Sequence, residues 1–164
     1  MQAGVISDVD KFIARNSRDG MFLRFARARA RGFLIRQTMT ATGAVSLAML
    51  VSLQLGLLAA ALALLGETVD CLLLFSLYRR FHDSAVPDRA RRLAMLTGTL
   101  QAMTIAACVL ICWHGGGNDS ARFFAATFLM SAAINIGLVR RHFPCGANLR
   151  LAVYALTGMA LFLT

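Results

Sequence analysis

The run from Gln37 to Tyr78 leaves few structural options. It is 42 residues long, has no Lys, Arg or His, and carries only two charged residues, Glu67 and Asp70. As one straight helix it would be about 60 Å long, twice the hydrocarbon core of about 30 Å. Two helices of roughly 20 residues, folded back as a hairpin, fit that thickness. An open pair of strands does not, because backbone groups in lipid must be satisfied within the protein. The favoured turn is Ser52-Leu53-Gln54-Leu55-Gly56, with a polar amide and a helix-ending glycine. A turn at Gly66–Asp70 would leave only Cys71 to Tyr78 for the return, about 12 Å.

The rest of the chain has the same character. Hydrophobic residues make up 58% of the 164, against about 45–50% apolar in soluble domains. The surplus lies in long unbroken runs, and no segment alternates in the manner of a barrel strand. The expected fold is therefore all-α, a polytopic bundle of about five transmembrane helices with short loops. The expected spans cover about 33–53, 57–78, 93–113, 121–139 and 149–164, forming a membrane domain over 33–164. Residues 1–32 form a cytoplasmic basic amphipathic arm ahead of them.

Within that arm, Ser7-Asp8-Val9-Asp10 has the form of a helix start, with Ser7 as cap and acids in the first turn. Asp19-Gly20 interrupts it. From Met21 to Arg36, bulky apolar residues alternate with arginines, which suits a helix lying on a bilayer surface. Arg24, Arg27, Arg31 and Arg36, with Arg79 and Arg80 at the far end of the hairpin, are the expected surface anchors. The arm is not a signal peptide, since its first long apolar run begins only after Gly32. The final run, Leu149–Thr164, is short for a span. The 14 residues after Arg150 cover about 21 Å, so the chain is expected to continue into a longer protein.

The formal charge of +9 points to topology and not to nucleic acid. Eight basic residues precede the first span, five follow the second, three follow the fourth, and only Arg122 lies elsewhere. Sixteen of 17 on one side makes that side cytoplasmic, in a bacterial inner membrane with the N-terminus inside. The lipid bilayer is the expected partner. Cys71, Cys108, Cys112 and Cys145 match no zinc pattern and read as small apolar residues.

Chemistry within the membrane would centre on Glu67 and Asp70, because charges at that depth are costly and mark functional positions. They share a helix face with Ala59 and Ala63, so that face points into the bundle. Thr97, Gln101, Thr104 and Cys108 form one stripe of the third span, and Thr127, Ser131 and Asn135 one of the fourth. Asp70, Gln101 and Ser131 lie at matching depths. Glu67, Asp70, Gln101, Thr104, Ser131 and Asn135 are thus candidates for a ligand- or proton-sensing layer. No Lys or Arg falls inside a span at this depth, so the acids are expected to lack a cation partner, and burial to keep one or both of them protonated. No catalytic residue, cofactor or metal site is expected, since no nucleotide, phosphate-loop or hydrolase motif occurs. His82-Asp83 with Pro87 imitates a phosphoacceptor box only superficially, lacking the Leu-Arg that should follow.

An arginine-rich arm leads into Phe33-Leu34-Ile35-Arg36-Gln37. A tight hairpin follows, whose second helix carries Glu67 and ends in Arg79-Arg80. In this order the chain resembles the membrane-embedded N-terminal input region of bacterial, alphaproteobacterial-type sensor histidine kinases. That resemblance implies a sensory or anchoring domain of a two-component signalling protein and a homodimer. It also implies that dimerisation, phosphotransfer and ATP use reside in domains outside this chain. The alternative from the residues alone is a small stand-alone transporter or exporter subunit coupled through Glu67 and Asp70, or a structural membrane protein without a ligand.

Overall fold

The computed structural model describes residues 8–82 and 84–163, and every regular element among them is a helix. The order is α1 (Asp8–Asn16), α2 (Arg18–Arg31), α3 (Phe33–Leu50), α4 (Leu53–Phe81), α5 (Asp88–Gly115), α6 (Asp119–Val139) and α7 (Pro144–Leu163). The proposed cap Ser7 lies outside the described residues.

Local chemistry places the breaks. Extended Ser17 caps α2, its hydroxyl accepting from the Gly20 amide at 3.1 Å. Asp19 and Gly20 therefore sit in the first turn of α2 and do not interrupt a helix, as the sequence suggested. Gly32 ends α2, donating its amide to Ala28, so Met21–Arg36 is two helices and not one. Ser52 caps α4 by accepting from Leu55 at 3.2 Å. The hairpin turn thus falls at Val51-Ser52, overlapping the expected Ser52–Gly56 turn only at Ser52; Gln54 and Gly56 lie in the first turn of α4, where Gly56 ends no helix, and Gly66–Asp70 is continuous helix. Asn118 caps α6 in the same way, after Gly117 turns the chain at φ 58°. Pro144 opens α7, where a missing amide proton costs nothing. The last apolar run is therefore 20 residues long and not short, because it begins five residues earlier than expected.

Four of these helices, α4, α5, α6 and α7, are long and apolar enough to cross a membrane. The bundle is small inside and bulky outside. Gly56, Ala59, Ala63 and Gly66 line the buried face of α4, and Ala94, Gly98, Ala102 and Ala106 that of α5. Large residues such as Leu65, Leu72, Leu100, Phe123, Leu138 and Phe162 face outward. In water this arrangement would expose the best hydrophobes, whereas in lipid it lets backbones approach and leaves bulky groups to the acyl chains. The protein is a multi-pass membrane protein.

Gly56 shows how close that approach is. A Cβ there would come within 2.6 Å of the Ala48 Cβ and 2.8 Å of its backbone, so α3 could not keep its place against α4. Gly56→Val is expected to cost about 1–3 kcal/mol by overpacking. The midpoint of unfolding by SDS in mixed micelles should fall accordingly; an unchanged midpoint would mean that α3 is not held here.

The arm belongs to the same packed body. Phe22, Phe25 and Ala26 are buried with Leu74, Leu77, Ala90 and Phe143. The Phe143 ring stands 5.2 Å from that of Phe22, edge to face, and 5.4 Å from that of Phe25. Asp19 accepts from the Val86 amide at 3.2 Å and pairs with Arg91, tying α2 to the start of α5.

Candidate functional site

Helix periodicity brings Glu67 and Asp70 to one face of α4, one turn apart, and both are buried, Asp70 completely. The expectation that they lack cationic partners is overturned. Arg29 reaches in from α2, Arg36 from α3 and Arg150 from α7. One Nη2 of Arg29 donates to Glu67 Oε2 at 3.0 Å and to Asp70 Oδ2 at 2.9 Å. Arg36 Nε donates to Glu67 Oε1, and its Nη2 to the Arg29 carbonyl. Arg150 Nη2 donates to both Asp70 oxygens, at 3.0 and 2.9 Å. The Thr97 hydroxyl of α5 adds a bond to Asp70 Oδ1 at 3.2 Å. All four carboxylate oxygens accept from guanidinium groups, so neither acid lacks a cationic partner.

The geometry explains why the arginines fit. Gly98 of α5 lies directly under the Arg150 guanidinium; a Cβ there would overlap it. The break at Gly32 turns α3 so that Arg29 and Arg36, on different helices, converge on one carboxylate. Arg36 therefore points inward and is not one of the surface anchors. Arg24, Arg27, Arg31, Arg79 and Arg80 are exposed. Arg27 and Arg79 lie against aromatic rings, 5.9 Å from the centroid of Tyr78 and 5.8 Å from that of Phe75.

The other candidates divide. Gln101 is buried and, with Arg29, Arg36, Glu67, Ser131 and Asn135, lines a cavity of about 80 Å³. Ser131 and Asn135 lie at its exposed rim. Thr104 does not join them: its hydroxyl bonds the Gln101 carbonyl within α5 and sits against Gly66. Thr127 likewise bonds back to Phe123 on its own helix, and Cys108 donates to the Ala59 carbonyl at 3.2 Å.

Sequence reasoning missed Arg29 and Arg150 as members of this layer. Both were counted among residues outside the spans, where arginines usually sit. A signal for Arg150 existed in Pro144: a helix starting there places Arg150 about 9 Å inside α7.

Chemically, the network is a clamp. Removing these charges from water is costly, and only complete mutual pairing offsets that cost. Three arginines face two carboxylates, leaving one positive charge in excess. The Arg29 Nε and Gln101 Oε1 are buried without a partner. Comparison with protein-family models, curated proteins and solved structures yields no match.

Proposed function

We propose that this chain is the input and anchoring module of a bacterial two-component signalling protein. It would lie in the inner membrane with its N-terminus in the cytoplasm, act as a homodimer, and leave phosphotransfer to domains outside this chain. The observation that carries the reading is Arg29. It belongs to the basic arm, yet it is buried between Glu67 and Asp70 of the central helix. A displacement of α4 or α7 in the bilayer therefore pulls on the arm through charged bonds, which is the coupling an input module needs.

The transporter reading draws less support. A carboxylate that carries a proton or cation needs an oxygen to offer, and here all four accept from arginine.

The test is to read the native coding sequence beyond Thr164 and to incubate the whole product, in membranes, with radiolabelled ATP. The expected result is a downstream phosphoacceptor helix, and labelling that changes at least about fivefold, roughly 1 kcal/mol, when Arg29→Gln loosens the arm. A stop codon directly after Thr164 overturns the reading, as does labelling indifferent to Arg29→Gln.

A further inference from the structure

The excess charge in the clamp asks for a counter-anion. Arg29, Arg36 and Arg150 supply three positive charges; Glu67 and Asp70 supply two negative ones, and arginine does not shed its proton to balance them. An unmatched charge in a low-dielectric interior is costly. The cavity beside the clamp is where a matching anion fits. Its wall carries Arg29 and Arg36 against Glu67 alone, so the lining itself has one positive charge in excess. Arg29 is 94% buried, as 6% of its surface is accessible, and its Nε has no partner. Gln101, with 4% accessible, has an unpartnered amide oxygen and can turn its NH₂ toward an anion without losing a bond there. Ser131 and Asn135 add neutral donors at the rim.

The place and the donors define the ligand. Met39 and Thr40 of α3 and Phe128, Ser131 and Asn135 of α6 line the cavity, and Met39, Ser131 and Asn135 are exposed on the outer surface of the bundle. Arg36 is about 5 Å into α3, and Asn135 about 6 Å from the end of α6. That end of the bundle also carries Arg79, Arg80, Arg140 and Arg141, at headgroup level. Several dispersed donors, Arg29 Nε, the Gln101 amide and the Ser131 and Asn135 side chains, suit the several oxygens of a tetrahedral oxyanion better than a halide or a planar carboxylate.

We propose that this cavity binds a phosphate group, as the phosphodiester of an anionic phospholipid entering from the side, its chains lying along α3 and α6. Inorganic phosphate shares that chemistry and is the other source. The inference goes beyond the signalling reading and does not depend on it, since binding is read on this chain alone.

The test uses the chain in nanodiscs of phosphatidylcholine, with or without phosphatidylglycerol, followed by native mass spectrometry of retained lipid and by thermal unfolding. Wild type should retain phosphatidylglycerol. Asn135→Asp, which brings a carboxylate of the protein's own into the cavity, should lower retention at least about tenfold, roughly 1.4 kcal/mol, without lowering the Tm. Ser131→Leu with Asn135→Leu should block the rim to the same extent, while Arg79→Gln with Arg80→Gln should not. If inorganic phosphate in pure phosphatidylcholine discs raises the Tm of wild type but not of Asn135→Asp, the same cavity takes a free anion. If wild type and Asn135→Asp retain phosphatidylglycerol equally and phosphate moves neither Tm, the proposal is overturned.

Discussion

Asp70→Asn is expected to destabilise the protein by about 3–5 kcal/mol, the cost of breaking a buried ion pair from one side. The side chain is completely buried and binds Arg29, Arg150 and Thr97 together. Asparagine keeps the shape but offers one acceptor oxygen in place of two, and it removes the charge. The clamp then holds three positive charges against one. Charge balance in the clamp has a second consequence. Asp70→Leu combined with Arg150→Leu removes one charge of each sign and returns the excess to one. That double variant should therefore be less destabilised than Asp70→Asn alone, although it deletes more hydrogen bonds. Unfolding by SDS in mixed micelles measures both. If the double variant proves the weaker protein, hydrogen bonding and not charge balance governs the site.

Phe22→Ala should have an effect of comparable size, about 3–5 kcal/mol for emptying a buried aromatic position. Phe22 is 1% exposed and is clasped by Phe143, the C-terminal end of α4 and the N-terminal end of α5. The cost should fall on the arm, because the ring's partners hold α2 and not the α5–α6 hairpin. Limited trypsin digestion separates the possibilities. In the variant, cleavage at Arg24, Arg27 and Arg29 should speed up at least tenfold, while the membrane helices remain protected. Arg29 is the informative site, since it is shielded in the clamp and opens only if α2 leaves α4. Uniform cleavage throughout the chain would show that the arm and bundle fold as one unit.

What the sequence determined by itself follows from the thickness and dryness of a bilayer. Those two properties turn a 42-residue run into a hairpin, place its turn near Ser52, and send Glu67 and Asp70 into the bundle. They also make small residues on one helix face a sign of close packing, as Ala59 and Ala63 bear out. The tertiary structure alone decided what balances those acids. An arginine near a helix end has a side chain long enough to snorkel to the headgroups or to swing into the bundle, and the residue type is the same in both cases. Arg31 and Arg79 stay exposed on the outside; Arg29, Arg36 and Arg150 swing in. The choice rests on partners 31 to 80 residues away along the chain, on the bend at Gly32 that aims two helices at one carboxylate, and on the space that Gly98 leaves for a guanidinium. No local pattern carries that information, because it exists only once the helices have met.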